Sequence, residues 1–424
     1  MNYKSIGFAA LAMAAASVQA QDNTYDTRSL AMGGIGVASA NARNAALANP
    51  AMLASMTQDK FDLEFPVLSG RLMDPDSLID NLDTLNTSAT NLSNALNVPV
   101  VTPAAAGVIK VAVDDFNHSL GLVSNKSLSM SGYAGALLSI PSKKYAFAVQ
   151  LDARAEGGGI FKYAPADQQL VSDLNAQLTD CNNGIAAQCL AATGSAAGQI
   201  NLATGEITGI TSEFNVRAVV MKEIGVSFAM PVKELADIDI GITPKFVKLT
   251  SYDYVVNAQS SNNKITLDQG KKDDSLFTLD VGAVKLFKTE QGHDVRAGLV
   301  AKNIISGSAT TILGNKVELS PQLTAGGSYS TGLITAGADL DLIKNKPLLS
   351  GINQESQYLR LGAEFDAWHW AQFRLGYRHD LKGNNPGLPS IGLGVSVLGL
   401  HTDLSVAAAS KKEAALAWQL GFNF

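Results

Sequence analysis

Histidines, cysteines and alternating charges are the residues here whose types could do chemistry, so their spacing comes first. The five histidines stand at 118, 293, 369, 379 and 401, and none belongs to an HExxH pair that would hold zinc on one helix face. No GxSxG elbow presents a nucleophilic serine, and no Walker loop is present to cradle phosphate. Gly34-Ile35-Gly36 lacks the third glycine and the preceding strand of a dinucleotide site. Cys181 and Cys189 do not form a CxxC redox centre, and two cysteines are too few for the usual structural zinc. In an oxidising compartment they make a local disulfide. The expectation is a non-enzyme without metal or cofactor.

Charges near the C-terminus alternate with apolar residues. Arg360, Glu364 and Asp366 share one face of a short segment, and Arg374, Arg378 and Asp380 share a face of the next. A three-residue turn centred on His369 would set Glu364 opposite Arg374, a cross-strand pair contributing roughly 0.2–1 kcal/mol. Such charges either guide solute through a wet interior or satisfy the wall that surrounds it. The wall role is preferred.

Period-two alternation is the mark of strands, and about sixteen segments show it. They span 59–68, 104–113, 117–124, 130–140, 144–156, 213–230, 236–256, 274–288, 293–304, 317–330, 332–343, 356–367, 370–381, 389–399, 401–409 and 413–424. If two short early segments are loop or plug, fourteen remain. Short connections alternate with longer ones, notably 69–103 and 157–212, as periplasmic turns and external loops do in outer-membrane barrels. An even count puts both termini in the periplasm.

The two ends of the chain decide which face meets lipid. Lys4, the apolar run Ile6–Ala16 and the small residues Val18-Gln19-Ala20 form a secretory signal cleaved after Ala20. No later window is apolar enough for a transmembrane helix. The last strand carries Leu416, Trp418, Leu420, Phe422 and Phe424 on one face, with Trp418, Phe422 and Phe424 resembling the C-terminal assembly signal of outer-membrane barrels. Trp368, Trp370 and Trp418 are expected in interfacial aromatic belts. Only 17% of residues are charged, against about 25% in soluble domains. Lys+Arg 32 against Asp+Glu 38 leaves no basic excess for nucleic acid.

Between signal and first strand, residues 21–57 are rich in small residues and include Gly33, Gly34, Gly36 and the triplet Asn49-Pro50-Ala51. They lack the large apolar residues for a core of their own. The GGxGVA run and the NPA triplet resemble the N-terminal plug of FadL-like outer-membrane transporters. The phrases VRAGLVAKNI, QYLRLGAEFDAW and FRLGYRHDL resemble the TraF-like family of conjugal transfer outer-membrane proteins, in the same superfamily. The resemblance implies a barrel closed by a short hatch, with hydrophobic compounds entering from outside and leaving by a lateral opening. A lumen of this size needs filling in any case. A purely structural plug is the other reading.

Two loops could carry function. Leu78, Ile79, Leu82, Leu85, Leu92 and Leu96 in the 69–103 loop fit much of one helix face, suited to capping the outer mouth or covering wall. The 157–212 loop begins with three glycines, includes a short helix near Gln168–Leu178 and carries the cysteine pair.

The reading is all-β: a transmembrane antiparallel β-barrel of 14–16 strands over 58–424, a hatch over 21–57 and a signal over 1–20, in the outer membrane of a Gram-negative bacterium. Its expected partners are outer-membrane lipid and the barrel-assembly machinery. The resemblance adds a hydrophobic ligand, for a transport conduit, or conjugation-apparatus proteins, for a non-transport envelope component.

Overall fold

A computed structural model describes residues 26–56, 61–96, 98, 100–189, 200–201, 206–207, 211–235, 237–257, 270–352, 354–368, 370–410 and 412–424. The export signal and His369 lie outside the described residues.

Fourteen antiparallel strands close into a barrel. They are β1 (Asp62–Met73), β2 (Ser127–Ile140), β3 (Ala146–Lys162), β4 (Glu213–Val232), β5 (Ile238–Asn257), β6 (Lys271–Lys288) and β7 (Asp294–Lys302). The circuit continues with β8 (Gln322–Ser330), β9 (Ile334–Asp341), β10 (Tyr358–Ala367), β11 (Ala371–Asp380), β12 (Leu388–Val397), β13 (Leu400–Ala409) and β14 (Glu413–Asn423). Each strand pairs with its sequence neighbour, and β14 returns to β1 from Asp62↔Asn423 to Met73↔Glu413 across a bulge between Glu64 and Val67. Closure leaves no unpaired edge, the condition for placing a sheet in hydrocarbon.

The alternation now has a direction. Leu375 and Ile391 are 64% and 60% exposed on the outside, whereas Arg374 and Asp403 are 2% and 3% exposed within. An apolar exterior around a charged interior is the inverse of a soluble sandwich and the arrangement of a membrane barrel. Short turns, such as 331–333 and 398–399, gather at the end that holds both Asp62 and Phe424, and the long connections gather at the other end. By the usual asymmetry, the short-turn end is periplasmic. The wall is uneven: β4 and β5 have 20 residues each, while β9 has eight.

Two expected strands do not exist. Segments 104–113 and 117–124 belong to one helix, Pro103–Val123, which fixes the count at fourteen. Val-Ile-Lys-Val-Ala-Val alternates over a short window, but burial follows Ala106, Ile109, Val113 and Val123, a helical spacing. Thr102 caps the helix by accepting from the Ala105 N–H at 3.2 Å, and Pro103 sits in its first turn. The 69–103 loop starts later than expected, because β1 runs to Met73, and it contains the helix Leu78–Leu96. The three glycines expected to open the 157–212 loop lie within β3. Gly159 sits beneath the Phe214 ring and Gly158 against Ile352, so neighbours fill the space their side chains would occupy. The expected helix in that loop runs Pro165–Asn182, and Cys181 in its last turn is joined to Cys189 in a disulfide.

The three outer helices are α3 (Leu78–Leu96), α4 (Pro103–Val123) and α5 (Pro165–Asn182), following two short ones in the plug, α1 (Thr27–Ala31) and α2 (Ala45–Ala48). Leu92, Leu96, Ile109, Val113, Leu174 and Leu178 form the common core of the outer three. This cap joins the long-loop end of the barrel.

Candidate functional site: the plugged lumen

Residues 26–56 occupy the barrel interior. Asp26 caps α1 through the Ser29 N–H at 2.9 Å. The chain then reverses at Gly33 and Gly34, whose φ values of 70° and 93° favour glycine. Asn49 is buried, donates to the Val37 carbonyl at 2.7 Å and caps the 3-10 turn Pro50–Leu53. Too short to build a core, this segment borrows the wall as its second layer.

The wall is shaped to receive it. Inward-facing glycines recur on eight successive strands, and many are direct neighbours: Gly241↔Gly282, Gly298↔Gly326, and Gly337↔Gly362↔Gly376. A methyl at Gly376 would collide with the Gly33 nitrogen, one at Gly362 with the Met32 carbonyl, and one at Gly241 with Pro50 and Ala51. The belt is therefore a groove in which plug backbone lies against wall backbone. Its hatch residues Gly33, Asn49, Pro50 and Ala51 all touch that belt, whereas Gly36 packs on Ala48 inside the plug. The Asp339 carboxylate of β9 receives the Gly36 and Val37 N–H groups at 2.7 and 2.9 Å.

Charges lock the segment in place. Arg28 of the plug forms a two-point contact with Glu364, Nε to Oε2 at 3.0 Å and Nη2 to Oε1 at 2.9 Å. Glu364 also accepts from Arg374 Nε at 2.6 Å, directly across the strand pair. Arg374 reaches Asp403, which lies 3.7 Å from Arg43 of the plug. Two plug arginines thus bracket three wall charges. On the opposite wall Lys302 donates to the Leu47 carbonyl, beside a buried set of Arg154, Glu223, Lys245 and Asp280. These pairs sit away from bulk water, where a partnered charge is tolerated and an unpartnered one is costly.

The remaining predicted charges divide. Arg360 pairs with Asp341 at 2.6 Å, and Arg378 with Glu413 at 2.7 Å, which also holds Arg71. Their guanidinium groups lie 5.0 and 4.5 Å from the Tyr358 ring centre. Asp366 accepts from Gln372, and Asp380 holds the backbone of Gln357, Lys382 and Asn385 at the outer rim. Arg28, Arg43, Asp339 and Asp403 were not singled out in the sequence. Arg28 and Arg43 had a signal: they are the two basic residues of a plug otherwise made of small groups.

Aromatic residues divide as well. Trp368 and Trp370 stack with ring centres 5.9 Å apart beside a periplasmic turn, as expected of a belt. Trp418 does not: it lies midway along β14, its Nε1 donating to Thr402, because the alternating face runs the full strand. Phe422 and Phe424 stack at the barrel foot.

Two apolar regions flank the lock. Below, Ala46, Met52 and Leu53 of the plug pack against Val67, Leu137, Ala148 and Ala229 of the wall. Above, the hairpin Gly307–Thr310 with Lys316–Leu319 folds into the mouth, where Val317, Leu319, Leu348 and Leu349 meet Met221 and Leu249. A cavity between plug and wall has a mixed lining, with Lys302, Asp339, Asp341, Asn345 and Arg360 alongside Val37, Ala48 and Val300. Among the described residues no cluster of His, Cys, Asp and Glu could hold a metal ion.

A family model described as "F plasmid transfer operon, TraF, protein" matches residues 46–341. No curated protein matches. Among solved structures, the Ralstonia pickettii toluene transporter TbuX is 13% identical, with a TM-score of 0.50 over 95% of this chain and 98% of that one. A Pseudomonas aeruginosa FadL homologue is 9% identical, with a TM-score of 0.48 over 96% and 99%. The P. putida toluene transporter TodX is 12% identical, with a TM-score of 0.45 over 95% and 97%. At 13% identity the likeness to TbuX is one of fold.

Proposed function

Since this chain belongs to the TraF family matched over residues 46–341, and its fold is that of a FadL-like barrel, we propose that it is an outer-membrane conduit for small hydrophobic compounds, held shut by its N-terminal plug. The observation that carries this reading is the apolar seam between plug and wall, Met52 and Leu53 against Val67, Leu137 and Ala148. A small apolar molecule that displaces the plug there exchanges one apolar contact for another and keeps the wall residues buried. The outer cap supplies a second apolar core, around Ile109 and Leu178, on the side from which cargo would arrive. TbuX is a toluene transporter, and this reading extends that class of cargo to the present barrel.

One observation favours a second reading, a non-transport envelope component of a conjugal transfer system. The outer mouth is filled by the Val317–Leu349 cluster, which suits a scaffold with no open path. The test is to load proteoliposomes with an environment-sensitive aromatic dye sink and follow uptake of toluene-sized compounds. Saturable uptake that rises when Arg28 is changed to Ala supports the conduit. No uptake by either form, with stoichiometric co-purification of an envelope protein, supports the scaffold.

A further inference from the structure

The outer wall of the long strands carries a feature that neither plug nor cap uses. Outward-facing residues on β3 to β6 form horizontal rows set by the registers. One row reads Leu151↔Ile224↔Phe246↔Phe277, wholly apolar. Phe246 is 67% exposed and meets Phe277 edge to face at 5.1 Å. The next row towards the outer end reads Ala153↔Lys222↔Lys248↔Ser275. Two lysines therefore stand directly opposite one another on adjacent strands, both exposed.

Like charges in that position are destabilising, more so beside hydrocarbon than in water. Among the described residues neither lysine has a carboxylate within ion-pair distance. The carboxylate one row further out, Asp273, is held by Lys271 and by the Thr250 hydroxyl, and it attracts Lys248 only from beyond contact. Below the lysines, Ile224, Val226, Phe228 and Met230 face outward on β4 down to the periplasmic end. Four such rows at about 3.3 Å per residue, on a tilted strand, cover most of an apolar band about 25 Å tall. The lysine row thus marks where hydrocarbon gives way to headgroups, a depth at which a lysine can lay its stem on apolar surface and keep its ammonium group in the polar layer.

We propose that Lys222 and Lys248 form a binding site for the phosphate of an anionic lipid in the outer leaflet. The phosphate sits between the two ammonium groups and relieves their repulsion. Ser275 offers a hydroxyl donor beside it, and acyl chains run down over Phe246, Phe277 and Ile224. The inference is independent of whether the barrel transports anything.

The test uses the full-length protein in nanodiscs of phosphatidylcholine, with or without lipid A, released into mild detergent for native mass spectrometry. The wild-type barrel should keep lipid A, and Lys222→Gln with Lys248→Gln should retain roughly tenfold less. Lys248→Glu guards against a folding artefact: it gives Lys222 a salt-bridge partner, so the barrel should stay folded, by heat-modified gel mobility, yet lose the lipid. Inorganic phosphate is the second arm. Failure of millimolar phosphate to displace the lipid supports a site for the whole headgroup and its chains, and displacement by phosphate alone would overturn the lipid assignment. Equal lipid retention by wild type and a folded Lys248→Glu variant would overturn the site itself.

Discussion

Arg28 and Glu364 lie 336 residues apart in sequence and meet in a planar two-point contact, 3.0 and 2.9 Å between donors and acceptors. One belongs to the plug and the other to the wall, so this contact ties the N-terminal segment to the barrel. Arginine suits the position because its fork matches a carboxylate at two points and keeps its charge in a low dielectric.

Removing the shared carboxylate of the lock should be costlier than removing one of its arginines. Glu364→Gln leaves Arg28 and Arg374 facing each other and is expected to destabilise plug docking by about 3–5 kcal/mol. Arg28→Ala leaves Glu364 with Arg374 and should cost less. Limited proteolysis of the plug, with single-channel conductance alongside, reads both effects. Equal protection of the plug in all variants would show that the contact does not hold it.

A methyl group in the groove tests the belt. Gly376→Ala drives a side chain into the Gly33 backbone, where nothing flexible can yield, so the cost should reach the upper part of the usual 1–3 kcal/mol for overpacking or exceed it. Gly383→Ala has free space around it and serves as a control away from the plug, although its φ of 72° carries its own backbone strain. Plug-specific hydrogen exchange should speed up only in Gly376→Ala. Unchanged plug protection in that variant would refute the close fit.

The outer cap should loosen in acid. Burial alone would push the Asp167 carboxyl up, but hydrogen bonds from the Ser212 hydroxyl and from the Thr211 and Ser212 backbone N–H groups outweigh it and hold the carboxyl below its ordinary value. A depressed carboxylate stabilises the fold above the unfolded value, about 3.9, and that contribution fades as pH falls through the lower folded value. Amide exchange at 211–212 should therefore accelerate below about pH 3.9, and Asp167→Asn should remove that dependence. A pH-independent wild type would contradict the assignment.

Reduction of Cys181–Cys189 should be a local event. The closed loop spans a sequence separation of eight, so the chain-entropy contribution is about 2–3 kcal/mol. It is confined to the end of α5, since the barrel ladder does not pass through it. Reduced protein should show faster exchange over 181–189 with unaltered barrel heat-modifiability. Loss of the barrel signature on reduction would make the disulfide a global staple instead.

Much of the wall was legible because the face pattern is local: Arg360, Glu364, Arg374 and Arg378 can be placed by counting residues. The helix over Pro103–Val123 was misread because its valines alternate over six residues, while the Thr102-Pro103 start signal spans only two. Trp418 was placed in a belt because its type suggested one, although its depth depends on counting from the strand end. The glycine belt was visible as residues but not as a groove. Its meaning lies in Met32, Gly33 and Pro50, hundreds of positions away, and no periodicity carries that information. Asp339 was overlooked for the same reason, since what it binds is backbone.

The unequal strands have a consequence for traffic above the membrane. From eight residues in β9 to 20 in β4 and β5, the difference amounts to roughly 40 Å of strand at about 3.3 Å per residue. Even after tilt, one half of the rim rises as a parapet while the other ends near the headgroups. A phage tail fibre, an antibody or a neighbouring cell's surface protein would meet the mouth more readily from the low side, which gives the barrel a front and a back.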